Sequence, residues 1–235
     1  MKISVCIPTY NRFQLLVECL APFIEDDRVS EIVVVDDCSD IVIYNKVEIY
    51  CNQFPKIKLY RNEKNLDCAF NKKRCVELAS NGWVILADSD NVFSKNYIDK
   101  VYDFRHPSTL YQPSFAKPHF DFTAFEDLLI NKKNVAEHMM RHQFQTLLNA
   151  ANGYFKREEW LKVFDSTVNP VTSDSIYQNY RWLEAGNSIY VVPGLTYEHR
   201  VSNHGKEEKS HYVTKNRTTP KGFHESIVNK LKAMR

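Results

Sequence analysis

Apolar and polar positions fall into two kinds of block along the first ninety residues. Residues 3–7 are a short, largely β-branched run closed by Pro8, and Phe13, Leu15, Leu16, Cys19, Leu20 and Phe23 follow at helical spacing. This predicts a strand, a loop and a helix over about 12–24. Charged Glu25, Asp26, Asp27 and Arg28 lead into Ile32, Val33, Val34 and Val35, an unbroken apolar run suited to a strand buried on both faces. A second helix is predicted over 44–54, a strand over 57–60 and a third helix over 67–80. Asn81-Gly82 punctuates the pattern before a fourth strand over 83–87.

Strands and helices in this alternation predict an α/β fold, a Rossmann-like, mostly parallel central sheet flanked by helices, with ligands gathered at the carboxyl ends of the strands. Those ends carry Pro8 to Arg12, then Asp36-Asp37-Cys38-Ser39-Asp40, then Arg61-Asn62, then Asp88-Ser89-Asp90-Asn91. Acidic and polar residues therefore cluster where a site is expected. Beyond residue 93 the pattern predicts a capped helix over 94–104, extended pieces over 109–122, helical stretches over 124–148 and a helix over 155–164. Ser173 is placed as the cap of a helix running to Ala185 and stopped by Gly186, followed by extended segments over 189–192 and 195–198.

Composition narrows the class. A chain of 235 residues with 43% apolar content can bury one sizeable core. Thirty-one Lys and Arg against twenty-nine Asp and Glu leave +2, which supplies no general field for nucleic acid. No apolar run reaches the length of a membrane span, and the opening segment lacks a signal-peptide pattern, so the expected location is the cytoplasm. The tail after Gly205 holds eight Lys or Arg against three Glu, a local excess suited to peripheral contact with anionic lipid. Six scattered cysteines without a CxxC pair read as reduced thiols, and neither GxGxxG nor GxxxxGK[ST] occurs.

Candidate chemistry starts with Asp88 and Asp90. In extended chain their side chains point the same way and could share one divalent cation, Mn²⁺ or Mg²⁺, whose other ligands come from a diphosphate. Asp36 and Asp37 suit nucleoside recognition, since carboxylates accept from a pyrimidine N–H and from ribose hydroxyls. Tyr10 is placed to stack on the base. Trp160, Trp182, Tyr111, Phe115, Phe120 and Phe122 are either core or platforms for sugar faces.

The run Ile3-Ser4-Val5-Cys6-Ile7-Pro8-Thr9-Tyr10-Asn11-Arg12, the run Val33-Val34-Val35-Asp36-Asp37-Cys38-Ser39 and the run Ile85-Leu86-Ala87-Asp88-Ser89-Asp90 together resemble the family-2 glycosyltransferases of the GT-A fold. The resemblance implies a nucleotide-sugar donor, a UDP-sugar by family preference, a glycan or other hydroxyl acceptor, and inversion at the anomeric carbon. It implies that Pro8, Tyr10, Arg12, Asp37 and Asp88 border the nucleotide and that Asp90 and His199 hold the metal, with His204 and His211 as rival donors. Asn71 resembles the Asn of the family's Ala-Arg-Asn segment, although Phe70 stands in place of the Arg, and Lys72, Lys73 and Arg74 are candidates to compensate. Thr172-Ser173-Asp174 resembles the family's x-Glu-Asp motif, with Ser173 in place of Glu, and Asp174 is the implied general base. Asn152-Gly153 falls where the family has a glycine loop facing donor and acceptor.

The division expected on this basis is a donor half over 1–104, an acceptor half over 105–201 and a basic tail over 202–235. Two other readings stand beside it. One is a non-catalytic module that binds nucleotide-sugar or glycan. The other is a sugar nucleotidyltransferase, which requires a basic triphosphate loop that the first strand lacks.

Overall fold

The computed structural model describes residues 1–200 and 222–235. Its first half runs β1 (Ile3–Thr9), α1 (Phe13–Ile24), β2 (Val29–Asp36), α2 (Ile41–Cys51), β3 (Ile57–Arg61), α3 (Asp67–Leu78) and β4 (Trp83–Leu86). These four strands are mutually parallel in the spatial order β3-β2-β1-β4. Every residue of β1 is buried, its apolar positions in the core and Ser4 and Thr9 among the buried polar residues. The register sets Thr9 opposite Asp36 and Asp36 opposite Arg61, so the carboxyl ends of three strands lie level. Pairing between β1 and β4 stops at Cys6 and Leu86. Pro8 therefore sits in an inner strand with its missing N–H beyond the last rung on that side.

The second half continues with β5 (Val92–Phe93), α4 (Tyr97–Val101), β6 (Thr109–Lys117), β7 (Phe120–Asp121), β8 (Leu129–Ile130), α5 (Val135–His138), α6 (Phe144–Leu148), β9 (Tyr154–Lys156), α7 (Arg157–Val163), α8 (Asp174–Glu184), β10 (Ser188–Glu198) and α9 (Phe223–Lys232). β9 runs antiparallel to β4, and the order β4-β9-β6-β10-β5 extends the first four strands into one continuous sheet. α8 buries Ile176, Trp182 and Leu183, while its buried amides Gln178 and Asn179 donate to the carbonyls of Trp160 and Leu148.

The parallel sheet and its flanking helices are as the sequence predicts, but several elements differ. The helix over 94–104 shrinks to α4, because Val92-Phe93 pairs with the end of β10 and Ser94 turns its hydroxyl to Asn96. Helical spacing over 124–148 dissolves into a 3₁₀ turn at Thr123–Phe125, β8 and two short helices. Residues 189–192 and 195–198 belong to one strand, bent where its register against β6 shifts between Val192 and Thr196. Ser173 precedes α8 without capping it by a side-chain bond. Of the basic tail, residues 201–221 lie outside the described residues. Residues 223–232 form α9, which buries Ile227, Val228 and Leu231 where it packs on α5 and α8. The described thiols are unpaired, and Cys6, Cys19, Cys51 and Cys75 are buried.

Candidate active site

The loops after β2 and β3 are tied together through one buried carboxylate. Asp37 is fully buried, and its Oδ1 accepts from Asn62 Nδ2 at 2.6 Å and from the backbone N–H of Leu66 at 2.8 Å. Asn62 also donates to Asn71 Oδ1 at 3.0 Å, and Asn71 donates to the carbonyl of Val35 at 3.1 Å. Asp36 points elsewhere, accepting from the Ser39 N–H at 2.9 Å with Arg61 Nε 3.7 Å away. Burial pushes its pKa up. The two adjacent acids thus divide: Asp36 shapes the turn, and Asp37 frames the entrance to α3.

The second cluster joins the two halves of the chain. Lys72, on the core-facing side of α3, places Nζ 3.1 Å from Asp88 Oδ1 and 2.8 Å from Asp174 Oδ2. Burial alone would push the Lys72 ammonium down, but Asp174 and Asp88 outweigh it and hold its pKa well above the ordinary value. Arg12, buried at the start of α1, stands 3.3 Å from Asp90 Oδ2. That partner does not fully compensate Asp90. Burial and the charge of Asp88 push its pKa up to about 6, against the opposing pull of Arg12. The backbone N–H of Asp88 donates to Asn152 Oδ1 at 2.7 Å, which brings the Asn152-Gly153 loop under the acidic segment. At Gly153 an added Cβ would lie 3.1 Å from Leu110 Cδ2 and 3.2 Å from the Tyr111 carbonyl.

Among the described residues, six of the buried polar side-chain atoms without a hydrogen-bond partner lie at the carboxyl ends of the parallel strands, Thr9 Oγ1, Asp36 Oδ2, Asn62 Oδ1, Ser89 Oγ and both amide atoms of Asn91, while others on Gln112, Gln143 and Arg181 lie elsewhere. Such atoms are rare in folded proteins and call for a ligand or water. A pocket is bordered by Lys72, Asp174, Asn152, Trp160, Phe164 and Tyr177, and by Gln112, whose Oε1 also has no hydrogen-bond partner among the described residues.

For a metal, among the described residues no three His, Cys, Asp or Glu side chains lie close enough to hold one alone. The under-compensated Asp90 carboxylate, a hard oxygen donor, nevertheless fits a hard divalent cation that takes its remaining ligands from a diphosphate. His199 follows directly on the Glu198–Val92 pair that seats β10 against β5, and its N–H donates to the Lys117 carbonyl at 2.7 Å. Arg200 Nε donates to the Asp90 carbonyl at 2.5 Å, so this segment of chain runs beside Asp90.

The residues expected from the sequence are therefore partly assembled. Arg12, Asp88, Asp90 and Asp174 form one charged cluster, and the His199 segment lies alongside it. Tyr10 is half-buried beside the Asp36–Asp40 loop, whose Asp40 and Asp37 add to burial in raising its pKa. Pro8 is buried within β1. Trp182 and Phe122 are core residues, whereas Trp160 lines the pocket. His204 and His211 lie outside the described residues. Three contacts have no sequence signal of their own: the double bridge of Lys72, the bond from Asp88 to Asn152, and the His224 ring of α9, whose Nδ1 lies 3.2 Å from Ser173 Oγ beside Asp174. Helical spacing puts Lys72 in register with buried Ala69, Cys75 and Val76, the one hint that it faces inward.

Comparison with known proteins bears on this site. Residues 4–110 match the family model described as glycosyl transferase family 2. The chain is 28% identical over 240 aligned positions to the poly(ribitol-phosphate) beta-N-acetylglucosaminyltransferase TarS of Staphylococcus aureus. That alignment covers 96% of this chain but 39% of TarS, so the chain spans well under half the length of this relative. Among solved structures, S. aureus TarS 1-349 in complex with UDP-GlcNAc superimposes with a TM-score of 0.62 at 19% identity, covering 91% of this chain and 62% of that one. A mannosyltransferase from Pyrobaculum calidifontis in complex with GDP-Man and Mn²⁺ gives 0.64 at 16% identity, covering 87% and 58%. Among the described residues no helix is long and apolar enough to cross a membrane.

Proposed function

We propose that the chain, whose residues 4–110 match glycosyl transferase family 2 and whose fold is that of the GT-A glycosyltransferases it superimposes on, transfers a sugar from a nucleoside-diphosphate sugar, with UDP favoured, to a hydroxyl of a glycan acceptor, with inversion and with help from Mn²⁺ or Mg²⁺. One observation carries this reading. Carboxylates from both halves of the chain, Asp88 and Asp174, meet on a single buried lysine, with Asp90 two residues along the same segment. The UDP-GlcNAc held by TarS and the GDP-Man and Mn²⁺ held by the mannosyltransferase support the choice of donor class and metal.

In this reading Asp37, Tyr10, Pro8 and Arg12 border the nucleoside, and Asp88 faces the ribose and diphosphate. Asp90 and His199 would hold the cation, which offsets negative charge on the departing diphosphate. Asp174 accepts the proton of the acceptor hydroxyl as that oxygen bonds to the anomeric carbon from the face opposite the leaving group. The carbon–oxygen bond to the nucleoside diphosphate breaks with its electron pair, and the configuration inverts. Ser173 beside the base and Phe70 beside Asn71 are the departures that favour a second reading, a module that binds donor without turnover.

The test is a thermal-shift screen of UDP-, dTDP- and GDP-sugars with and without Mn²⁺, followed by product analysis. A metal-dependent rise in Tm with one donor, and sugar transfer that Asp174→Asn lowers about 10²- to 10⁴-fold without weakening donor binding, is expected. Binding without any turnover would establish the module instead, and no response to any donor would refute both readings.

A further inference from the structure

We propose that Lys72 is a positioning residue that joins the two halves of the transfer site, its single buried ammonium holding the donor-side Asp88 and the base Asp174 together. The inference rests on the reading of Asp174 as base and adds a residue to it. Lys72 shares the inward face of α3 with Ala69, Cys75 and Val76, a place where a charged group is costly unless it is paired. Its partners come from distant parts of the chain: Asp88 beyond β4 at 3.1 Å, and Asp174, 102 residues away at the start of α8, at 2.8 Å. The side chain is only 11% exposed, so neither bridge is a solvent-screened surface contact.

An ammonium has three N–H donors and no acceptor, so one lysine can serve both carboxylates. Without it, Asp88 and Asp174 would approach a common point uncompensated, and their like charges would push the two side chains apart. An untethered Asp174 loses its aim at the pocket that it and Lys72 line. The remaining charged and titratable groups around them are Arg12 and Asp90 across the site, Asp67 and Cys68 on α3, Asp165 and Tyr177 on the pocket wall, and His224 of α9, whose ring meets Ser173 Oγ and not Asp174. None of these duplicates a cation bonded to Asp174.

The experiment is a double-mutant cycle on the full chain with Lys72→Met and Asp174→Asn. It reads the rate of UDP release from UDP-GlcNAc at saturating donor and, separately, the Kd of UDP with Mn²⁺ by calorimetry. Lys72→Met should lower the rate about 100-fold while leaving the Kd for UDP within about threefold. In the Asp174→Asn background it should cost no more than about threefold further, because its effect passes through the base. Lys72→Arg, which keeps the cation, should restore most of the rate. If Lys72→Met is poorly folded, the cycle is run with Lys72→Gln. An undiminished rate, a full loss that persists in the Asp174→Asn background, or a Kd for UDP raised tenfold or more would overturn the proposal. Wild-type protein that does not bind UDP, or undiminished transfer by Asp174→Asn, would instead overturn the reading of function on which it stands.

Discussion

Two buried carboxylates stand at opposite ends of the same parallel strands and are treated in opposite ways. Glu31, near the amino end of β2, accepts from Ser4 Oγ at 2.5 Å, from the Ser80 N–H at 2.5 Å and hydroxyl at 2.7 Å, and from Lys58 Nζ at 2.6 Å. Burial would raise its pKa, but Lys58, Ser4 and Ser80 overcome that and hold it at about 2. Asp90, beyond the carboxyl end of β4, has Arg12 at 3.3 Å, and its pKa is pushed up to about 6 by burial and by Asp88. The unpartnered polar atoms of Thr9, Asn62, Ser89 and Asn91 share its end of the sheet, whereas Ser4, Ser30 and Asn81 at the other end are hydrogen-bonded. One end is complete as folded. The other leaves several polar atoms that no described residue partners, as the lining of a binding site does.

The sharpest way to break this comparison is to neutralise each acid in turn. Asp90→Asn should abolish Mn²⁺-dependent donor binding, reducing the thermal shift produced by donor and metal together to the background seen without metal. Glu31→Gln should leave that shift at its wild-type size. Equal losses in the two variants would erase the distinction between the ends. A smaller effect runs the other way. Glu31→Gln strips charge from a buried, fully bonded acceptor and should lower stability by about 1–3 kcal/mol at pH 7. Because the folded pKa of Glu31 lies below its unfolded value, its contribution is fully present above about pH 4.5 and is lost as pH falls toward about 2. The stability gap between wild type and Glu31→Gln should close across that window in urea titrations.

The same contrast explains how much could be read from the chain alone. β1 to β4, the three helices between them and the acids after β2 and β4 follow from local runs and from strand ends, so their placement was legible. Asp174 was singled out by its motif, and it stands on the pocket wall. Lys72 is one of three basic candidates, with Lys73 and Arg74, between which the sequence does not choose, because its contacts depend on two partners that only tertiary structure brings near. Glu31 carried no signal, being one charge in a strand whose neighbours satisfy it from β1, β3 and the loop before β4. The second half misread for a related reason. Helical spacing over 124–148 is overridden by edge pairing of β8 to β10, and two-residue strands such as β5 have no period to detect.

The smallest predicted effect is also the most specific to an unfinished site. Asp90 has a folded pKa above its unfolded value, so folding favours its protonated form. Well below its ordinary value of 3.8 the group is protonated in both states and costs nothing. As pH rises to about 6 the folded protein must hold the charge in a desolvated place, and stability falls relative to a chain lacking that acid. Asp90→Asn should therefore be more stable than wild type at pH 7.5 in the absence of metal, by on the order of 1 kcal/mol, or a few degrees in Tm. The difference should shrink as pH falls from about 6 and be gone by about pH 3, and it should reverse when Mn²⁺ and donor are added, since only the wild type gains from their binding. Loss of the Arg12 bridge works against this gain, but the raised pKa already includes the pull of Arg12 and remains high. A variant less stable than wild type at pH 7.5 without metal would show that Asp90 is held for the fold, like Glu31, and not for a ligand.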